Sequence, residues 1–312
     1  MEYSNKMGLG VGGNNSPGKR VLVYSGISSD VRSLVTRFGI DEVDGKTLVF
    51  ASLDAAVGAC LANRGDHIVV APGHTETISS ATALALDVAG IFIEGIGWGT
   101  LKPTFTLDTA TTATIAVSAA NIKIKNIRFS ANFADIVTLF TPTAVNLTLE
   151  DCDFVATATN MNFLSIAKTN TTNNSADGLT FVNCKWVEPD AATLYWVSGL
   201  GDIDGLTFRN SYANLGVNTN DLPALVNMAT GKDLTNLRVI DNDVIRLNDA
   251  NPLLVVTDTT TANTGIIKGN TIRHADTAGE LLVTAATNIG FSDNKASAVA
   301  DASGYLLPAA DS

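Results

Sequence analysis

One short pattern recurs along most of this chain, at intervals of 24 to 32 residues. Apolar residues alternate with other residues, a Gly, Asn or Asp follows, and a further apolar residue stands three positions later. Alternation with a period of two predicts β-strands and excludes a helical repeat, and the Gly/Asn/Asp position predicts a bend. The third position is apolar in all eight copies: Ile93, Ile124, Leu149, Phe181, Phe208, Val239, Ile267 and Phe291.

A second apolar run lies between successive copies of the pattern. These runs cover 136–140, 163–166, 194–197, 225–228, 253–256 and 281–283. Two or three strands per repeat, with no helix between them, indicate a parallel β-helix, whereas leucine-rich repeats would need a second, helical segment. We therefore predict an all-β fold, a single-stranded right-handed parallel β-helix of about nine turns with an N-terminal capping helix and an extended arm. The chirality rule for parallel crossovers supports the right hand.

Equivalent positions in consecutive turns become neighbours about 4.8 Å apart. The column after the bend ends in Asn242, Asn270 and Asn294, which predicts a ladder of hydrogen-bonded side chains. The same inward column contains Cys152 and Cys184 on adjacent turns. A disulfide between them is geometrically conceivable, but we favour stacked reduced thiols because their neighbours in the column are small or apolar.

Charged residues alternate in sign along two outward columns. Cross-strand pairs of opposite charge stabilise a solvated sheet face, so both columns predict ion ladders. Their members are Glu94, Lys125 and Glu150 in one column and Arg128, Asp153 and Lys185 in the other.

The composition fits a folded chain with no polyanionic ligand. The sequence is 46% hydrophobic and 16% charged, with a formal net charge of −11, which excludes disorder. Nucleic acid is not expected as a partner, since the longest basic run is Lys19-Arg20. There is neither an 18-residue apolar stretch nor an apolar N-terminal signal segment, so we expect a soluble product without a membrane partner.

The repeat also suggests where the chain divides. We predict a flexible Gly/Asn-rich arm over residues 1–20, a short strand and a capping helix over 21–65, the β-helix over 66–300 and a tail or cap over 301–312. The helix would start after Ser52 as N-cap and close the open end of the solenoid, which protects its strand edges. One apolar face is expected for it, formed by Leu53, Ala56, Val57, Cys60 and Leu61.

Two segments resemble known proteins. Ala51-Ser52-Leu53-Asp54-Ala55-Ala56, followed by Gly65-Asp66-His67-Ile68-Val69-Val70-Ala71-Pro72-Gly73-His74-Thr75-Glu76, resembles the entry to the pectin-lyase-like right-handed β-helix superfamily. The stretch 72–105 resembles β-helical proteins encoded in the structural gene regions of tailed bacteriophages. The superfamily likeness covers roughly residues 50–300, and the phage likeness mainly covers 65–165.

Polysaccharide lyases and hydrolases occur in that superfamily, and glycoside hydrolysis uses a pair of carboxylates across a groove. Asp151 with Asp153 and Asp241 with Asp243 are the candidates. The first member of each pair stands at the bend position, and Asp153 lies between basic residues of neighbouring turns, so a structural role is favoured. The adjacent Asp-Asp, the Gly-His-Gly and the Arg-x-Lys of the pectin hydrolases have no counterpart here. We predict no catalytic residue.

Other candidate sites are equally weak. His67, His74 and His274 are too dispersed for a shared metal ion, and the run Gly8-Leu9-Gly10-Val11-Gly12-Gly13 lacks the strand, helix and Lys of a phosphate loop. We therefore predict neither a metal nor a cofactor. Trp98 and Trp186 are expected in the core, whereas Trp196 and Tyr195 are left as a surface patch.

The phage resemblance implies a non-enzymatic virion protein, a capsid decoration or cement protein or a head-attached knob. It would be made in the host cytoplasm and would reside on the capsid surface, with the major capsid protein or another virion protein as a partner. Ala/Thr-rich flanks favour a homotrimer. The alternative is a tail spike or fibre that binds or cleaves host polysaccharide.

Overall fold

The computed structural model describes residues 18–26, 28–158, 160–187, 195–214, 225–245, 255–256, 262–274, 288–298 and 305–306. Three parallel sheets run along one right-handed parallel β-helix of about eight turns, so the predicted fold is confirmed with one turn fewer than expected. Each turn passes through sheet I, then sheet II, then sheet III. Residues 1–17 of the arm predicted over 1–20, most of the tail and the apolar run 281–283 lie outside the described residues.

Sheet I has eleven strands: Arg20–Val23, Val49–Phe50, His67–Val70, Phe92–Gly95, Lys123–Lys125, Thr148–Glu150, Thr180–Val182, Thr207–Arg209, Leu237–Ile240, Thr264–Lys268 and Asn288–Ser292. Sheet II has ten: Thr75–Ile78, Thr104–Leu107, Arg128–Ala131, Asp153–Ala156, Lys185–Val187, Tyr212–Asn214, Asp243–Ile245, Thr271–His274, Lys295–Ala298 and, antiparallel, Tyr305–Leu306. Sheet III has seven: Ala85–Leu86, Ile115–Val117, Phe140–Pro142, Ser165–Lys168, Tyr195–Gly199, Val226–Met228 and Val255–Val256. Two small sheets pair Glu42–Val43 with Lys46–Thr47 and Ile203–Asp204 with Leu234–Thr235.

The recurring pattern forms sheet I and the bend into sheet II. Its third positions pair in register from turn to turn, for example Ile124 with Leu149 and Phe181 with Phe208. The bend residues adopt left-handed backbone, with φ between 50° and 70° at Asn126, Asp151, Asn183, Asn210, Asp241, Gly269 and Asp293. Gly95 differs because it remains extended, and a Cβ there would come within 2.3 Å of the Asn126 carbonyl oxygen.

A second left-handed corner, between sheet III and sheet I, was not recognised in the sequence. Its residues precede seven consecutive sheet I strands, from His67–Val70 to Leu237–Ile240: Gly65, Gly90, Asn121, Asn146, Gly178, Gly205 and Asn236. A second omission is the helix Ser28–Phe38, whose Leu34, Val35 and Phe38 pack on an outer cluster with Leu22 and Val69. This helix therefore covers the outer face of the first strands of sheet I.

The predicted capping helix is present as Leu53–Gly58. The Ser52 hydroxyl accepts a hydrogen bond from the Ala55 amide at 3.4 Å, and Leu53, Ala56 and Val57 are buried against the first strands. Leu61 was wrongly placed on the buried face and is 58% exposed, because the helix ends three residues before it. The segment Gly99–Leu101 forms one turn of 3₁₀ helix.

Aromatic rings stack along the core. Phe105, Phe129, Phe154 and Trp186 pair in register, so the core position predicted for Trp186 is confirmed. Trp98 was wrongly assigned to this column. In its turn the sheet II strand begins only at Thr104, so Phe105 fills the column and Trp98 is 85% exposed.

Trp196 was also wrongly left as a surface residue. Its side chain is 1% exposed, because sheet III turns it inward. Its ring lies 5.7 to 5.9 Å from four other rings, those of Phe154, Phe181, Trp186 and Phe208. Tyr195 faces the other way and is half-buried, and this burial raises the pKa of its hydroxyl.

The asparagine ladder is confirmed and is longer than predicted. The side-chain oxygens of Asn242, Asn270 and Asn294 accept the backbone N–H one turn earlier, at 2.9, 2.9 and 3.1 Å. The Ser211 hydroxyl continues the series by accepting the Cys184 amide at 3.1 Å. Buried polar groups in this column therefore have partners within the ladder.

Asp66 fastens the N-terminal segments to the first turn. It is fully buried, and its carboxylate accepts the amides of Lys19 and Leu61 at 2.7 and 2.8 Å and two nitrogens of Arg64 at 2.6 and 2.7 Å. Burial raises the pKa of Asp66, but these hydrogen bonds outweigh it, and the net pKa is lowered from its ordinary value.

A lowered folded pKa gives the stability contribution of Asp66 a defined pH dependence. The contribution is present above the unfolded pKa of about 3.9 and is lost as the pH falls through the lower folded value. We expect Asp66→Asn to lower Tm at pH 7 and the difference from wild type to shrink by about pH 3. The measurement is thermal unfolding at both pH values, with the exposed Asp87→Asn as control. A pH-independent difference between wild type and Asp66→Asn would contradict the assignment.

Candidate functional site

The first candidate acidic pair, Asp151 and Asp153, lies in a network of ion pairs. Asp153 is 3.0 Å from Lys102 Nζ and 3.5 Å from Arg128, and Lys102 also donates to the Asp151 carbonyl oxygen at 2.7 Å. Asp151 stands at the left-handed bend, where its carboxylate accepts a hydrogen bond from the side-chain Nδ2 of Asn183 at 3.3 Å. Asp151 therefore holds the bend and Asp153 lies between two cations, so both side chains have structural contacts.

The predicted ion ladders are present only in part. Glu94 is in register with Lys125, but its carboxylate lies 3.1 Å from His67 Nε2 instead. Lys125 contacts Glu150 at 2.9 Å, and Lys123 contacts it at 2.6 Å; these two hydrogen bonds lower the pKa of Glu150. In the second ladder Lys102, a residue that sequence reasoning missed, joins Arg128 on Asp153. Lys185 is in register with Asp153, but its ammonium lies over the ring of Tyr212.

The second candidate pair does not form a shared site. Asp241 stands at the bend with φ 55°, while Asp243 is exposed on the outer face of sheet II, in register with Tyr212 and Thr271. The structure therefore assigns Asp241 to the bend, as the sequence indicated.

The loop 97–102 exposes Trp98 to solvent, and three hydrogen bonds to its backbone carbonyl oxygens fix its position. Asn126 Nδ2 donates to the Gly97 carbonyl oxygen at 2.9 Å, Arg128 donates to that of Gly99 at 3.4 Å, and the Gly73 amide donates to that of Leu101 at 2.7 Å. Leu101 is itself 53% exposed. Exposed Trp beside another exposed apolar residue is typical of a contact surface, and the pinned backbone fixes its position.

His67 and His74 have separate surroundings, and neither belongs to a cluster of described residues that could bind a metal ion. His67 stacks on Phe92 with 4.6 Å between ring centroids; burial lowers its pKa, and Arg20 adds to this although Glu94 opposes it. His74 is buried with Nε2 3.2 Å from Glu76. The side chain of His274 lies outside the described residues. In the part of the chain that the structure describes, no cluster of three His, Cys, Asp or Glu side chains could hold a metal ion.

Four aspartates line the corner between sheet III and sheet I, and sequence reasoning missed them. We call Asp177, Asp202, Asp204 and Asp233 the acidic corner. Three of the carboxylates accept backbone amides one turn further on: Asp177 that of Asp204 at 2.8 Å, Asp202 that of Asp233 at 3.1 Å, and Asp233 that of Ala262 at 3.0 Å. Asp204 instead accepts hydrogen bonds from the side chains of Thr235 and Asn236, both at 2.6 Å. The recurrence of Asp before successive strands is the signal that could have revealed this second ladder.

Two members of the acidic corner differ in their pKa. Burial raises the pKa of Asp177, and the carboxylates of Asp204 and Asp202 add to the rise. Hydrogen bonds from the side chains of Thr235 and Asn236 lower the pKa of Asp204. Neighbouring carboxyl groups whose pKa values shift in opposite directions occur at acid/base catalytic sites and also in structural hydrogen-bond networks.

The three cysteines are free and buried. The Cys184 thiol lies 3.3 Å from the Leu149 carbonyl oxygen, and that of Cys152 lies 3.4 Å from the Glu150 carbonyl oxygen. Burial raises the pKa of Cys184 and that of Cys60, the latter to about 12. Thiols with raised pKa are poor nucleophiles, so these side chains serve as packing groups.

Comparisons with known proteins agree with this architecture. No protein-family model matches the chain, and no curated protein matches it significantly. Among solved structures, a rhamnogalacturonan lyase is similar, with a TM-score of 0.53 over 89% of this chain and 74% of that chain at 13% identity. This chain shares the parallel β-helix fold of that lyase. At that identity the likeness concerns the fold alone.

A second solved structure, described as Geobacillus virus E2 - ORF18, gives a TM-score of 0.32 at 10% identity. The aligned region covers 78% of this chain and 56% of that one. A TM-score this low does not indicate a shared fold.

Among the described residues no helix is long and apolar enough to cross a membrane.

Proposed function

We propose that this chain is a non-enzymatic structural protein of a bacteriophage virion, a capsid decoration or cement protein or a head-attached knob, on the capsid surface. The observation that carries the proposal is the loop 97–102, whose backbone is held by hydrogen bonds while the side chain of Trp98 is 85% exposed. A rigid rod with a fixed aromatic contact point is suited to binding a neighbouring protein, the major capsid protein or another virion protein. The resemblance of residues 72–105 to phage structural proteins points in the same direction.

The candidate carboxylates support a structural role as well. Glu150, Asp151 and Asp153 each lie within 4 Å of a cation. Such pairing fixes these side chains on a solvated sheet face, as a structural role requires. We further propose that the protein acts as a homotrimer, which is the assembly that its Ala/Thr-rich flanks favour.

Localisation on purified virions tests this function. We expect antibody labelling and mass spectrometry to find the chain on capsids, and Trp98→Ala to lower its occupancy at least about tenfold, since truncating a central Trp costs roughly 2 kcal/mol or more. Val137→Ala, which changes an apolar residue 37% exposed, should retain occupancy. Absence of the wild-type chain from virions would overturn the proposal.

A polysaccharide-cleaving tail spike is the second candidate. The observation that favours it is the raised pKa of Asp177 beside the lowered pKa of Asp204. An acid with raised pKa near an ionised carboxylate is the arrangement that glycoside hydrolysis uses. Release of reducing sugars from host polysaccharide, lost in Asp177→Asn, would support this candidate and exclude a purely structural role.

A further inference from the structure

The outer face of sheet I carries three exposed cations on consecutive strands near the C-terminal end. We call Arg209, Arg238 and Lys268 the cationic face. In the register of sheet I, Arg209 and Lys268 both neighbour Ile240, and Arg238 neighbours Ile266. The three cations therefore alternate with isoleucines, and Ile266 is 37% exposed.

The cationic face differs from the N-terminal half of the same sheet. There Lys123 and Lys125 both contact Glu150 within 2.9 Å. Within the described ranges neither arginine of the cationic face has an ion pair, and Lys268 has only a 3.9 Å contact with Asp293, whose side chain is 71% exposed. The surface is thus left with unneutralised positive charge in a protein of net charge −11.

The placement of the two arginines adds to this imbalance. They are diagonal neighbours on adjacent strands, where side chains lie about 7–8 Å apart. Like charges at that separation repel, and no ion pair within the described residues neutralises either arginine. An external anionic partner would offset it, because guanidinium groups bind carboxylates in a bidentate manner.

The acidic corner runs parallel to the cationic face along the same side of the rod. Asp204 precedes Arg209 by five residues and Asp233 precedes Arg238 by five, which places the two stripes at most about 18 Å apart. In the described residues no ion pair joins the stripes within one copy. Each copy therefore presents a positive and a negative stripe, both parallel to the axis of the β-helix.

We propose that the cationic face binds the acidic corner of a second copy of this chain. Two rods packed side by side and parallel, related by rotation about an axis parallel to the rods, bring the positive stripe of one against the negative stripe of the other. In an antiparallel arrangement the two-fold axis would lie parallel to the strands and perpendicular to the rods. The acidic corner of one copy would then face the acidic corner of the other, which is unfavourable. The charge pattern thus selects cyclic assembly with parallel rods.

This inference rests on the homotrimer proposed above and is tested on the purified full-length chain. We expect sedimentation to show a cyclic oligomer that salt dissociates, because exposed charge pairs are screened. Arg209→Glu combined with Arg238→Glu should raise the concentration for half-association at least about tenfold, with the circular dichroism spectrum of the folded chain unchanged. Arg32→Glu combined with Lys46→Glu reverses two exposed cations elsewhere and should leave association unchanged.

The acidic corner has its own isosteric variant. Asp202→Asn combined with Asp233→Asn removes charge but retains the side-chain oxygen, as Asn173 already does by accepting the Asp202 amide at 3.3 Å. We expect it to weaken association like the arginine variant. Carbodiimide cross-linking of mixed ¹⁴N and ¹⁵N chains should join Lys268 of one copy to the acidic corner of another.

A monomeric wild-type chain, or an arginine variant with wild-type association, would overturn the inference. Binding of an anionic polysaccharide by a monomeric chain, lost in the arginine variant, would assign the face to that polymer instead. Because these measurements use no virion, their failure is distinct from failure of the proposed function. A monomer found on capsids would sustain the function and exclude the copy-to-copy contact.

Discussion

Trp196→Ala should lower the free energy of unfolding by about 3–5 kcal/mol, the range for truncating a buried aromatic residue. The ring lies between sheets I, II and III, with Phe154, Phe181, Trp186 and Phe208 around it. Its removal leaves a cavity that the rigid turns on either side cannot close. The loss combines transfer free energy and contacts between rings.

The measurement is urea unfolding followed by circular dichroism. Trp98→Ala is the matched control, since the same substitution at an 85% exposed site should change stability by no more than about 0.5 kcal/mol. Trp196→Phe should recover part of the loss by filling some of the space. Equal effects of the two alanine substitutions would contradict the placement of both tryptophans.

Asn270→Ala should lower the free energy of unfolding by about 2–4 kcal/mol, because each buried polar group left without a partner costs roughly 1–3 kcal/mol. The Asn270 oxygen accepts the amide and the side-chain N–H of Asn242, both at 2.9 Å, and its own N–H group donates to Val239 and Asn294. One substitution therefore leaves donors and acceptors unpaired on two neighbouring turns.

Urea unfolding also measures this effect, and hydrogen exchange locates it. Exchange of the Asn242 amide should accelerate in the variant. Asn132→Ala is the control: Asn132 also bonds across turns, to Asp108 and Thr157, but it is exposed, so the expected loss is only about 0–1 kcal/mol. A loss for Asn270→Ala no larger than this control would show that the ladder is not a stabilising element.

The sequence predicted those parts of the fold in which each turn repeats the same local rule. Alternation placed Ile124 and Phe181 inward, and Asn or Asp after the strand marked the left-handed bend. Asn242, Asn270 and Asn294 were predictable as a ladder because stacking turns convert a fixed spacing into contact. These features depend on one residue and its equivalent in the next turn.

Predictions from the sequence were wrong where a turn of the β-helix departs from the common length. Trp98 matches the pattern, but the loop 97–102 delays the next strand and gives its core position to Phe105. Trp196 follows Tyr195 in a sheet III strand, where successive side chains point to opposite faces. Because both residues are aromatic, the sequence does not show which of the two points into the core. Lys102 was missed because its partners, Asp151 and Asp153, lie about 50 residues away.

The sequence by itself determined the repeating β-architecture, the bends, the asparagine column and the capping helix, since each follows from short-range spacing and the strand period. Only the tertiary structure decided which charges are neutralised and which surfaces remain free. Ion pairing depends on side-chain positions across several turns, and exposure depends on what the loops cover. Glu150 is therefore paired, whereas Arg209 and Arg238 have no ion pair within the described residues, and Trp98 remains on the surface.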